Sequence, residues 1–165
     1  YELIGCEVPV QFGLQKDLTW VGYLDIVIKD TVRDVIVIYD IKTSTMGWNK
    51  WMKADENKTQ QLLLYKQFYS KMYNHPIDKI EVEYFIVKRK LYENVDWVQR
   101  RVQKFSPASG KPSMNKVAKK LTKFIDEGFN DDGSHTTGEL PPTPSKKACR
   151  WCEFNQTEYC IEGVK

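Results

Sequence analysis

At 165 residues the chain has room for one domain with a real hydrophobic core. Its 25 basic and 22 acidic residues leave a formal charge of +3, too mild to mark a nucleic-acid binder by itself, so any DNA affinity must come from local patches. No stretch approaches the roughly 18 consecutive apolar residues of a membrane-spanning helix, and no signal peptide is visible.

In chain order, Val8, Val10 and Phe12 alternate within Leu3 to Phe12, as a strand requires. The chain opens inside this strand at Tyr1, so a preceding segment is expected to be missing and a targeting signal stays open. Trp20 to Lys29 is a second strand, with Leu24, Ile26 and Ile28 alternating against Asp25 and Val27. Val35 to Ile41 is a β-branched run expected of a central strand buried on both faces. The three read as an antiparallel meander.

Thr43 to Asn57 shows no clean period and reads as a long loop or short irregular turns. Thr59 to Tyr73 is helical, with Gln61, Tyr65, Phe68 and Met72 on one stripe, and His75-Pro76 stops it. Ile80 to Val87 alternates Val82, Tyr84 and Ile86 inward. Val95 to Phe105 reads as a further, more polar strand. Ser113 to Phe129 is an amphipathic helix with Val117, Leu121, Phe124 and Ile125 inward and a basic outer face. Glu139 to Ser145, with three prolines, is an extended connector. The expected whole is an α/β fold, a mixed central sheet flanked by helices, with a right-handed crossover from Val35 through Tyr73 to Val87. Residues 1–138 form the core and 139–165 a connector and cysteine tail packed on the same domain.

Phosphodiester hydrolysis needs an aligned water, neutralisation of developing charge and help for the leaving oxygen, all within reach of bound Mg²⁺ or Mn²⁺. Magnesium takes oxygen ligands. Asp25 and Asp40 are the candidate carboxylates, on strands expected side by side. Asp40 and Lys42, two apart on a strand, point to one face. Ile41 points the other way, into the core, and offers its backbone carbonyl as a further hard ligand. Gln61 and Tyr65, at i and i+4, share a helical face. Gly22 lets the backbone approach a neighbour or a ligand, and Glu7 is a weaker further acid.

These three patterns, Gly22 to Asp25, Asp40 to Lys42 and Gln61 to Tyr65, resemble the PD-(D/E)xK nuclease superfamily. Within it they are similar to the RecB/AddB-type group that includes the CRISPR-adaptation nucleases. The resemblance implies a restriction-endonuclease-like core and Mg²⁺- or Mn²⁺-dependent DNA cleavage. It makes Asp25 and Asp40 metal ligands and Lys42 catalytic, with Gln61 and Tyr65 positioning the DNA or the site. An exonuclease on single-stranded or end-containing DNA follows by analogy, with recombination or replication proteins as partners. The expected location is the cytoplasm of a bacterial or phage-infected cell. The rivals are a structure-specific or site-specific endonuclease and a catalytically weak DNA-binding or Fe–S interaction module.

Cys149, Cys152 and Cys160 cluster near the end, a spacing that suits an Fe–S cluster or zinc. In the resembling nucleases an upstream cysteine completes a [4Fe–4S] cluster, and Cys6 is the weak substitute available here. Trp48, Lys50, Trp51 and Lys53 interleave rings with ammonium groups, as single-strand binding requires. Lys88 and Arg89 are candidate phosphate contacts.

Overall fold

The computed structural model describes residues 1–138 and 142–164. A five-stranded sheet is built in the order β1-β2-β3-β4-β5. Strands β1 (Glu2–Gln15), β2 (Leu18–Asp30) and β3 (Val35–Ser44) form the expected antiparallel meander. Strand β4 (Ile80–Lys88) runs parallel to β3, and β5 (Val102–Phe105) antiparallel to β4, so the sheet is mixed. Between β3 and β4 lie helix α1 (Lys50–Ala54), helix α2 (Glu56–Met72) and a 3-10 turn (Ile77–Lys79). Helix α3 (Lys111–Gly128) and the short α4 (Lys146–Cys149) follow β5.

Each element has a local cause. Asn49 caps α1, its Oδ1 accepting from the Trp51 and Met52 N–H groups at 3.0 and 2.9 Å. Asp55 caps α2 by accepting from Asn57 N–H. These two caps turn the expected long loop into a tight helical corner. At the β2–β3 turn, the buried Asp30 accepts from the Val32 and Arg33 N–H groups, and Arg33 continues to Glu81 on β4.

Helix α2 lies across one sheet face. Leu62, Tyr65, Phe68 and Tyr69 bury against Val10, Leu24, Val27, Ile36, Ile38, Val82 and Tyr84. Burying each large aliphatic side chain contributes about 1.5–3 kcal/mol before the ordering cost of the chain. Met72, expected on the same stripe, is exposed at the helix end.

Several expectations change. On β2 the fully buried residues are Leu24 and Val27, three apart, so strict alternation breaks at Asp25 and Ile26. Opposite this break, Glu7 on β1 adopts a left-handed φ of 50°. Strand β3 is buried on both faces only over Ile36, Val37 and Ile38, and Ile41 is exposed rather than turned into a core. The strand expected from Val95 shrinks to Val102–Phe105. Gln99 satisfies both backbone groups of Tyr92, and Trp97 and Val98 find no packing face, so the preceding segment has no ladder to join. In α3, Val117 and Ile125 are buried but Phe124 is exposed. Of the expected connector, Glu139, Leu140 and Pro141 lie outside the described residues.

Candidate active site

The β2–β3 ladder ends at the Ile26–Tyr39 pair, while β3 continues beside β4 to the Ser44–Lys88 pair. Past this point Asp25 bridges the parting strands: its Oδ2 accepts a 2.6 Å hydrogen bond from the Ile41 N–H. The break in alternation is what frees the Asp25 side chain to turn toward β3. The next acidic group, Asp40, is 2% exposed.

Asp40 Oδ2 lies 2.7 Å from Lys42 Nζ, an ion-pair distance. The Lys42 ammonium is the cation beside that buried oxygen, and no other side chain of the described residues hydrogen-bonds it. Burial pushes the Asp40 carboxyl above its ordinary range, Lys42 opposes the shift, and the charge of Asp25 adds to it. The Lys42 ammonium offsets part of the cost of burying this carboxylate, and a further cation between Asp40 and the nearby Asp25 would offset more of it.

The third group closes on the second. Gln61 Oε1 accepts from Lys42 Nζ at 3.2 Å, and Gln61 Nε2 donates to the Tyr65 hydroxyl at 2.8 Å. The Tyr65 ring meets Trp20 edge-on at 5.7 Å between centroids. A Cβ on Gly22 would stand 2.7 Å from Trp20 Cη2 and 2.9 Å from Tyr65 Cε1. Gly22 therefore makes room for two neighbours, Trp20 and the tyrosine of the third pattern. Residues from β2, β3 and α2 form one contiguous chain of contacts from Gly22 to Asp40.

A family model of the PD-(D/E)XK nuclease superfamily matches residues 1–157. The chain belongs to the PD-(D/E)XK nuclease superfamily. The mixed five-stranded sheet with helices accords with the restriction-endonuclease-like fold of that superfamily. Among solved structures, one titled "Crystal structure of SSO0001" is 12% identical, with a TM-score of 0.47. The similarity covers 91% of this chain and 57% of that one. A comparison with curated proteins found no match.

PD-(D/E)XK nucleases typically use Mg²⁺ or Mn²⁺. The donor set here fits such an ion, because magnesium is usually held by one or two carboxylates together with substrate phosphates and retained waters. Among the described residues no three His, Cys, Asp or Glu side chains gather as a metal site. Of the cysteines, Cys149 is buried, Cys152 exposed and Cys160 half-buried, while Cys6 is exposed on β1. Glu7 is exposed and stands in register opposite Asp25, between the pairs Cys6–Ile26 and Val8–Leu24.

The aromatic-basic segment divides. Trp48 is a core residue, 7% exposed, packed 4.9 Å from Tyr84 between ring centroids. Its backbone N–H and C=O are both held by the Gln103 amide, which fixes the chain where it enters α1. Trp51 is exposed, with Lys50 Nζ 4.9 Å from its ring centroid. Lys53 lies 5.5 Å from the Phe105 ring centroid. Lys88 and Arg89 sit at the exit of β4, and Arg89 Nη2 donates to Thr45 Oγ1 at 3.0 Å. Lys42, Trp48, Met52, Asn57, Lys58 and Gln61 border a cleft of 270 Å³ on the sheet side of the α1–α2 corner.

Two residues escaped the sequence reading. Tyr84 is the parallel register partner of Asp40 and is fully buried. Its hydroxyl donates to the Lys58 carbonyl in the turn of α2 that carries Gln61. Burial first, and then the charge of Asp40, push that hydroxyl above its ordinary range. The inward alternation of Val82, Tyr84 and Ile86 was the available signal, since a buried tyrosine hydroxyl needs a partner. Trp20 stacks on Phe68 at 4.4 Å and supports Tyr65; no sequence period distinguished it from an ordinary strand residue.

Proposed function

We propose that this chain is a metal-dependent deoxyribonuclease, an exonuclease on single-stranded or end-containing DNA that resembles the RecB/AddB-type group. The observation that carries the reading is the continuous contact chain Asp40–Lys42–Gln61–Tyr65, beside the Asp25 carboxylate. An isolated Asp-x-Lys pair is common and usually solvated. One that is buried at the carboxylate and tethered at the ammonium by a glutamine is not explained by folding needs alone.

In this reading Asp25, Asp40 and the Ile41 carbonyl are the oxygen ligands for Mg²⁺ or Mn²⁺, with Glu7 as a subsidiary acid. Held there, such an ion would supply a counter-charge for the phosphoryl group and would lower the pKa of a water. Lys42 donates from its ammonium to a phosphate oxygen and opposes the negative charge that develops there. Gln61 holds that ammonium through Oε1, and Tyr65, accepting from Nε2, fixes which way the amide faces. Lys50, Trp51, Lys53, Lys88 and Arg89 supply the surface for the DNA strand.

The exonuclease preference rests on the Gln-x-x-x-Tyr pattern, by analogy with its group. Residues 1–138 are the proposed nuclease core, and 139–165 an accessory tail. The ion pair between Lys147 and Asp55, at 2.7 Å, supports docking of the tail on the α1–α2 corner. Recombination, replication or repair proteins are the proposed partners; the chain spans 57% of the length of the similar solved chain.

The test is digestion of end-labelled linear single- and double-stranded DNA, and of circular DNA, with Mg²⁺, Mn²⁺ or EDTA. Metal-dependent cleavage confined to linear substrates, lost by at least about 100-fold in Lys42→Ala, is the expected result. Cleavage of closed circles would move the reading to an endonuclease. Binding without cleavage under either metal would move it to a DNA-binding module.

A further inference from the structure

A second cavity of 210 Å³ lies on the far side of the α1–α2 corner, between that corner, α3 and the segment leaving β5. The corner is the ridge between the two spaces. Its residues divide between them: Met52, Asn57, Lys58 and Gln61 border the cleft at Lys42, and Lys53, Glu56, Thr59 and Gln60 border the second cavity.

The second cavity has an apolar floor and a cationic rim. Leu63, Phe105, Pro107 and Val117 form the floor. Lys53, Lys116 and Lys120 stand at the rim with Glu56. Lys116 and Lys120 both hydrogen-bond Glu56, which holds the two ammonium groups side by side. Three ammonium groups against one carboxylate leave the rim positive. The wall is anchored from behind: the buried Lys66 on α2 reaches Ser109 O and Oγ at 3.3 and 3.4 Å, tying down the segment that carries Pro107.

An apolar floor with a ring and a proline suits a flat heterocycle, and a positive rim suits the phosphates on either side of it. An uncharged apolar ligand would gain nothing from the lysines, and a free anion nothing from the floor. We propose that this cavity is a nucleotide subsite that receives one base of the DNA strand being processed at Lys42. The inference rests on the nuclease reading and extends it to a second contact point. The ridge is about one helix width, roughly 10 Å, so the base held here is a few nucleotides from the phosphate at Lys42 rather than next to it. A strand must cross the corner, past Lys50, Lys53 and Lys58, to fill both.

The experiment pairs cleavage with crosslinking on the full chain. A ladder of single-stranded oligothymidylates is digested with Mg²⁺ or Mn²⁺ by the wild type, by Val117→Trp, which fills the floor, and by Lys116→Gln with Lys120→Gln, which strips the rim. In the wild type, KM is expected to fall about tenfold once the oligonucleotide is long enough to cross the ridge. Each variant is expected to lose that length-dependent gain. In parallel, 5-iodouracil oligonucleotides are irradiated on the wild-type protein with Ca²⁺, and the crosslinked peptide is expected to contain Phe105.

An unchanged length dependence in the folded rim variant, or crosslinks confined to other peptides, would overturn the subsite while leaving a cleaving enzyme intact. Crosslinking at Phe105 with no cleavage under any metal would overturn the nuclease reading and leave the subsite standing. Melting curves identify a variant that has failed to fold, and the other variant then decides.

Discussion

Asp25 on β2 holds the backbone of Ile41 on β3 through a 2.6 Å hydrogen bond at the place where the ladder between those strands has ended. One carboxylate oxygen therefore fastens the fork in the sheet, and the group is also the proposed metal ligand. Asparagine keeps a carbonyl acceptor for the Ile41 N–H but removes the charge. We predict that Asp25→Asn folds normally and loses Mg²⁺ or Mn²⁺ affinity by about tenfold or more. Calorimetric titration with Mn²⁺ reads it directly, and wild-type affinity in the variant would take Asp25 out of the metal site.

Gly22 sits against the rings of Trp20 and Tyr65 with no room for a methyl group. Gly22→Ala is predicted to cost about 1–3 kcal/mol of stability through overpacking. It should also push Tyr65 off Gln61, so that activity per folded molecule falls as well. Chemical denaturation together with kcat on the folded fraction separates the two effects. Wild-type stability would show that the contact relaxes without strain.

Tyr84 joins the Asp40 strand to the turn of α2 that carries Gln61. Tyr84→Phe keeps the ring and deletes the hydroxyl, for an expected loss of about 1–2 kcal/mol. If the hydroxyl also sets where Gln61 lies, kcat drops while KM for DNA stays close to wild type. A variant equal to wild type in both stability and kcat would reduce Tyr84 to a space-filling ring.

Glu56 is held by Lys116 and Lys120, which pull its carboxyl down to about 2. A depressed acid stabilises the fold while ionised. The contribution is present above the unfolded-state value near 4.5 and is lost as pH falls through the folded value near 2. The pair is exposed and screened by salt, so the effect is small. We predict that Glu56→Gln flattens the decline in melting temperature between about pH 4.5 and 2, measured at low ionic strength. Parallel pH profiles for the two proteins would exclude a role for this ion pair in α2–α3 docking.

The three patterns, their order and the sheet that carries them were readable in the linear chain, because strand alternation and helical spacing are local properties. Asp40 and Lys42 share a face by the period of a strand alone, and the meander, the α2 crossover and the inward face of β4 followed from the same logic. Other features depended on what the chain meets in space. Asp25 reaches β3 only because β2 breaks its alternation opposite Glu7, which no period announces. Trp48 and Trp51 look alike in sequence, yet one is clamped by Gln103 from β5 and the other faces water. Gly22 was read as making room for a neighbour or a ligand, and its partners proved to be Trp20 on the same strand and Tyr65, 43 positions away in sequence. The tail cysteines differ in exposure, Cys149 buried and Cys152 exposed, which their spacing does not announce. Residue order and periodicity determined which side chains share a strand or helix face. Which side chains touch was decided by strand register and by α2 crossing the sheet, since contacts between distant segments exist only after the chain has closed on itself.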